Sequence, residues 1–214
     1  MSLRLNKKRI ITISLVVLQA AIVCAFVWLR LGIEVGTPKE GETTTFSTNT
    51  PDETKVDKQT YEWVGLDTEP KYIYLPTIGA EGFIQKVGVD QNKQIAVPNN
   101  IHFAGWFTDS SLPGQKGLSI IDGHVTGRFN DAVFKDLTKI KVDDTFQVEF
   151  GDGSKKTFKV IELQTVAVDV AASVLFSQKS KVSSQLNLIT CTGDFDEQNQ
   201  LYNKRLIVYS TLTN

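Results

Sequence analysis

From Tyr61 onward the chain is a succession of short β-branched and aromatic runs, each closed off by glycine, proline, asparagine or aspartate. The runs are Tyr72–Leu75, Gly82–Val89, His102–Phe107, Leu118–Ile121, Phe146–Phe150, Phe158–Leu163, Leu186–Cys191 and Leu206–Tyr209. Residues of these types fill pleated, half-buried surfaces, and Phe146, Val148 and Phe150 alternate with polar neighbours as a strand with one buried face requires. Strands this short and this numerous expose many edges. A closed or nearly closed barrel is the expected way to hide them.

Two segments read as helices instead. Val133, Phe134, Leu137 and Ile140 recur at three and four residues, with Asn130 or Asp131 placed to cap the start, and Ala171–Phe176 reads as a second, shorter helix. The chain shows no internal repeat and no glycine-rich phosphate loop. The expected architecture is therefore mainly β, with one or two short helices.

The N-terminal region follows other rules. Ile10–Leu29 carries no charge, and a helix of this length spans roughly 30 Å, the hydrocarbon thickness of a bilayer. No small-x-small cleavage site follows it around Ala25–Gly32, so the reading is an uncleaved signal anchor over residues 10–33. Arg4, Lys7, Lys8 and Arg9 crowd the side before it, which keeps residues 1–9 as a cytoplasmic tail and sends the rest outside the cell. Residues 34–70, rich in Thr, Glu, Lys and Asp with Pro38 and Pro51, read as a flexible stalk, and residues 71–214 as the folded domain.

That placement changes the meaning of the charge. Residues 1–33 hold five of the 23 Lys and Arg and none of the 24 acids, so the external part is net acidic. With no basic patch and no nucleic-acid motif, nucleic-acid binding is excluded. Two histidines and one external cysteine make no recognisable metal-ligand spacing, and neither a metal nor a cofactor is expected.

Cysteine usage then narrows the chemistry. Cys24 lies in the anchor, which leaves Cys191 as the one external cysteine, unable to form an intrachain disulfide there. Free cysteines are often buried fillers, but Thr192-Gly193-Asp194 turns polar at once and places this thiol at a strand end, before what reads as a polar loop. A nucleophilic thiol needs a partner that exchanges protons. Of the two histidines, His124 follows a strand beside Gly123, whereas His102 between Ile101 and Phe103 reads as a residue hydrogen-bonded in place or facing solvent. Arg205, at the mouth of the last strand, is either a solvated cation or a donor to a developing oxyanion. Asp122, Asp194 and Asp196 are candidates to orient His124 or shape a cleft, with turn formation as the commoner use. Trp106 and Phe107 read as core or rim aromatics.

Three blocks in this order carry a resemblance to a known family. Ile120-Ile121-Asp122-Gly123-His124-Val125, Leu188-Ile189-Thr190-Cys191 and Lys204-Arg205 resemble the histidine strand, the Leu-x-Thr-Cys signature and the arginine position of the sortases. One departure is plain, because the family signature begins Thr-Leu and this chain has Asn187 before Leu188. The resemblance implies an eight-stranded sortase-like barrel and a cysteine transpeptidase that cleaves a Leu-Pro-x-Thr-Gly-like sorting signal through a thioacyl enzyme. It implies transfer to an amine of the cell envelope or of a pilin. Cys191 is then the nucleophile, His124 the general acid and base, and Arg205 the stabiliser of substrate and oxyanion, with Thr190 beside them on the substrate. The connection Val166–Ser184 is too apolar for an idle loop, and Val174, Leu175 and Phe176 within it are expected to form the wall that recognises the signal. An L,D-transpeptidase-like enzyme, whose usual Ser-His-Gly-Cys type of signature is absent, and a non-enzymatic surface-binding β-domain are the alternatives.

Overall fold

A computed structural model describes residues 41–213, so the expected tail and anchor over residues 1–33 lie outside the described residues. All eight expected strands form: β1 (Pro70–Leu75), β2 (Ala80–Val87), β3 (Ala104–Phe107), β4 (Gly117–Gly123), β5 (Thr145–Phe150), β6 (Lys155–Ala167), β7 (Ser184–Asp196) and β8 (Leu201–Leu212). They close into a barrel in the order β1-β2-β3-β4-β7-β8-β6-β5. Neighbours are antiparallel except for β2 with β3 and β4 with β7. Closure removes the free edges that short strands otherwise present.

Alternation along each strand sorts side chains to two faces. Ile121, Leu186, Leu188, Leu206 and Val208 point into the barrel and join Ile73, Leu75, Phe134, Phe146 and Phe158 in its core. Ile120, Ile207 and Tyr209 point the other way, where α1 (Val168–Leu175), set between β6 and β7, covers them with Leu175. This second, outer cluster underlies the functional site.

Two expectations are corrected. The helix expected over residues 133–140 reduces to turns and one 3-10 turn, Leu137–Lys139. Its apolar residues do face the core, but the amides of Lys135, Leu137, Lys139 and Ile140 bond to carbonyls three residues back rather than four, so the segment tightens into 3-10-type turns. The shorter helix expected over residues 171–176 is present as α1, beginning three residues earlier.

The expected free stalk through residue 70 also fails for its described part, since residues 41–69 form a strap along the barrel. Thr44, fully buried, pairs in parallel with Val87, and Asp52 pairs with Asn100. The Tyr61 ring packs 4.6 Å from Phe83 and 5.3 Å from Phe103, and Trp63 Nε1 donates to the Ile84 carbonyl at 3.0 Å. These apolar residues are too sparse to show a period, yet the outward aromatics Tyr72, Phe83 and Phe103 receive them. Replacing Tyr61 and Trp63 together by alanine is expected to destabilise the fold by about 2–3 kcal/mol, lowering the melting temperature by roughly 5–10 °C. An unchanged melting curve would restore the stalk.

Candidate active site

Cys191 faces outward near the middle of β7. Leu186, Leu188 and Thr190 turn inward, so Asn187, Ile189 and Cys191 share the outer face. Antiparallel pairing sets Cys191 directly opposite Arg205 of β8, which brings their Cβ atoms to about 5 Å. On the other side, parallel pairing of β4 with β7 sets Asp122 beside Ile189. Carried on by two residues, that register brings His124 level with Cys191. Cys191 and Arg205 are thus cross-strand neighbours on the outer face, and the strand beside them leads directly into His124.

The loop expected directly after Cys191 is instead a continuation of β7 to Asp196, paired with β8 as a hairpin. The pairing slips between Thr192 and Phe195, where Gly193 takes φ +86°. A bulge of this kind bends a strand and re-aims the side chains next to it, and only glycine adopts that backbone without strain. Asp194 and Asp196 serve the hairpin: Asn203 Nδ2 donates to Asp194 Oδ2 at 3.1 Å, and Asp196 accepts the amides of Gln198 and Asn199. They are turn formers, not members of the site.

His124 is positioned by its neighbours. Gly123 is needed because a Cβ there would overlap the Phe134 ring, and the His124 carbonyl receives the Phe134 amide. The imidazole Nε2 lies 2.8 Å from the Pro98 carbonyl oxygen. A carbonyl only accepts, so the proton of the neutral ring sits on Nε2 and leaves Nδ1 bare as the proton acceptor. Burial lowers the basicity of His124, and the Pro98 carbonyl partly restores it. The thiol moves in the opposite direction: burial pushes Cys191 up, the Arg205 charge pulls it down, and Asp122 pushes it up again. At neutral pH the pair therefore rests as thiol and imidazole.

Arg205 reaches back along its own hairpin, with Nη1 donating to the carbonyls of Tyr202 (3.0 Å) and Lys204 (2.9 Å). Backbone carbonyls aim the side chain while leaving its charge unneutralised, since no carboxylate forms an ion pair with it among the described residues. His102 is held elsewhere, Nε2 against the Glu53 carbonyl at 3.1 Å. Trp106 is a residue of the barrel core, and Phe107 is buried in the outer cluster, packing edge-on against Phe176 at 6.1 Å.

Of the four residues expected to touch substrate, two lie at least partly at the surface. Phe176 is half exposed, and Val174 is partly buried next to it on α1. Leu175 is buried and packs beneath them. Thr190 is corrected outright: its side chain points into the barrel and its hydroxyl donates to the Gly123 carbonyl at 2.7 Å, tying β7 to β4 just before His124. Its role is to brace the site.

Asn187, the departure from the family signature, has a use that sequence reasoning missed. Its pairing with Ile120 and Tyr209 is intact, and its Nδ2 donates to the Leu175 carbonyl at 2.7 Å, pinning the C-terminal end of α1 to β7. Also missed were the Pro98 carbonyl and Glu53, whose carboxylate accepts the Arg128 and Phe129 amides and Asn130 Nδ2, bracing the loop that follows His124. No sequence motif marks a carbonyl. Among the described residues no cluster of His, Cys, Asp and Glu is placed to hold a metal ion, and no helix is long and apolar enough to cross a membrane.

Comparison with known proteins adds two findings. A family model described as the sortase domain matches residues 73–213. Among solved structures, a lid mutant of sortase A from Corynebacterium diphtheriae is similar with a TM-score of 0.53 at 23% identity, over 73% of this chain and 74% of that one. Sortase C1 of GBS Pilus Island 1 is similar with a TM-score of 0.51 at 19% identity, over 70% of this chain and 68% of that one. At such identities the structural likeness speaks for the fold alone. No curated protein matches the chain.

Proposed function

The chain belongs to the sortase family, and from that premise we propose that it cleaves a Leu-Pro-x-Thr-Gly-like sorting signal at Cys191 and passes the acyl group to an amine. The observation that carries this reading is the register that sets Cys191 opposite Arg205 and level with His124 on one outer face. The Cys191 proton moves to His124 Nδ1 as sulfur bonds to the threonine carbonyl carbon, and the resulting oxyanion lies beside the Arg205 guanidinium. The peptide C–N bond then breaks, and His124 returns the proton to the departing amine. A second amine attacks the thioester, gives up a proton to His124, and releases Cys191. Holding thiol, carbonyl and amine together supplies the orientation on which such transfer depends.

The wider setting is part of the same proposal. The uncharged run Ile10–Leu29 with its basic flank supports a single-pass anchor and an external catalytic domain. Partners are then surface proteins or pilins bearing the signal, and an amine of a peptidoglycan precursor or a pilin lysine. The experiment is transfer of a sorting-signal peptide to a labelled amine by the full-length protein. Product joined at the threonine supports the reading, and intact peptide after prolonged incubation defeats it.

Two variants test its parts. Arg205→Lys keeps the charge but loses the planar fork, and Arg205→Ala loses both. Removing a donor to the oxyanion is expected to lower turnover on the order of a hundredfold to a thousandfold, with little change in melting temperature. Near-normal turnover in Arg205→Ala would remove Arg205 from the site, and Lys204→Ala serves as the control for charge lost nearby. For the wall, exchanging Val166–Ser184 for the same segment of a sortase with another preference is expected to change peptide choice. Preference that stays with the rest of the barrel refutes a recognition role for Val174 and Phe176.

A further inference from the structure

One buried acid of the outer face takes no part in these steps. Asp122, on β4, is only 7% exposed, and its Oδ1 has no hydrogen-bond partner among the described residues. The carboxyl meets no cation and lies instead against Gly105 of β3, in the space that a side chain there would fill. Pro98 and Val87 border the same space. It lies on the strand face that carries Ile189 and Cys191, and it stands two residues before His124. An isolated carboxyl in such a place has been desolvated without compensation, and unsatisfied buried groups of this kind concentrate where chemistry uses them.

Resting on the assignment of Cys191 as nucleophile, we propose that Asp122 is a positioning residue acting on the thiol through charge: uncharged it lets Cys191 ionise towards His124, and charged it opposes that ionisation. The geometry sets the range. Asp122 pairs with Ile189, and Cys191 follows two residues later on the same face, so the strand spacings put the two Cα atoms roughly 8 Å apart. Little water intervenes to screen charges at that distance in a mostly buried site. The titratable and charged groups that face Asp122 are Cys191 on β7, His124 beyond the end of β4, and Arg205 on β8. The elements packed on its other side contribute Gly105 and Pro98, which carry no charge.

Ionisation behaviour agrees with this arrangement. Burial holds the Asp122 carboxyl well above the ordinary carboxylate range, and its negative charge adds to the burial that already raises Cys191. Wherever the carboxyl is ionised the thiol titrates against a neighbouring negative charge, and wherever it is protonated that opposition is gone. A peptide seated over this floor excludes more water and favours the neutral carboxyl. Substrate binding thereby relieves the opposition to thiolate formation. An empty cleft keeps the cysteine as a thiol, the form that resists oxidation outside the cell.

The test reads the thiol without any sorting peptide. Alkylation of Cys191 in the full-length protein by iodoacetamide is followed against pH, with the modified peptide identified by mass so that Cys24 does not contribute. Asp122→Asn, of the same shape but unable to ionise, is expected to lower the midpoint of the profile by about one pH unit, giving roughly tenfold more thiolate at a fixed pH below both midpoints. Gly105→Ala is expected to do the reverse, because its methyl group pushes the carboxyl off β3 towards β7 and raises the midpoint. An unmoved midpoint in a folded Asp122→Asn protein overturns the proposal. Should that variant not fold, an unmoved or lowered midpoint in Gly105→Ala does so. Because alkylation needs no transpeptidation, an unmoved midpoint leaves the proposed activity intact, whereas shifted midpoints in a protein that never transfers peptide defeat only that activity.

Discussion

Transfer by Cys191→Ala is expected to fall below detection, a loss on the order of 10⁴-fold or more, while the melting temperature stays close to that of the parent. The size follows from the chemistry: without a nucleophile the reaction loses its covalent intermediate, and His124 and Arg205 have nothing to act upon. The stability forecast follows from the site, because Cys191 is partly exposed on the outer face and contributes no side chain to the barrel core. Substitutions in such positions lie within about 1 kcal/mol of neutral. Cys191→Ser is expected to fail as well, since a hydroxyl beside a weakly basic imidazole does not ionise at neutral pH. Appreciable transfer by either variant would place the nucleophile elsewhere.

His124→Gln is expected to lower turnover by about 10²- to 10⁴-fold, the range that a positioned acid–base group contributes. Glutamine retains an N–H for the Pro98 carbonyl, so the loss isolates proton transfer from the hydrogen bond at 2.8 Å. The pH profile of the parent carries the same assignment. Activity requires an unprotonated His124 to accept the proton and a protonated Cys191 to supply it. Because burial lowers the histidine, the acid limb of kcat/KM falls below the ordinary value of 6.5; because burial raises the thiol, the alkaline limb lies above 9.0. The rate therefore rises with pH through the first limb, holds between the two, and declines through the second. A profile without an acid limb, or a His124→Gln variant with near-normal turnover, would take His124 out of the mechanism.

What could be read without coordinates was what depends on local pattern. Alternating apolar residues located all eight strands, and residues Ile120–Val125, Leu188–Cys191 and Lys204–Arg205 singled out His124, Cys191 and Arg205 before their register was known. Patterns of this kind do not reveal what long-range bonding overrides. Val133, Phe134, Leu137 and Ile140 have helical spacing, but Val133 and Phe134 are anchored to Ile101 and His124 and the following amides bond three residues back, so turns form in place of an α-helix. The strap was misread for a related reason, because Thr44, Tyr61 and Trp63 are stabilised by partners at Val87, Phe83 and Ile84 that no local window contains. Thr190 illustrates a further limit: adjacency to Cys191 suggested substrate contact, whereas strand alternation turns it to the opposite face. Asp122 was grouped with the turn-forming aspartates, although continuing the Leu118–Ile121 alternation by two residues would have placed it beside Ile120 on the outer face.

Membership of the family decides between the activities considered at the outset. A sortase domain over residues 73–213 leaves no place for an L,D-transpeptidase fold. The most direct measurement is capture of the intermediate itself. Full-length protein is mixed with a Leu-Pro-x-Thr-Gly-like peptide in the absence of an added amine, quenched in acid at short times, and digested for mass analysis. The expected result is a Cys191 peptide heavier by the acyl portion ending in threonine, released by hydroxylamine, with the glycine-led fragment free in solution. Cleavage of the signal with Cys191 unmodified, or an adduct that survives in Cys191→Ala, would contradict a thioacyl enzyme at this cysteine.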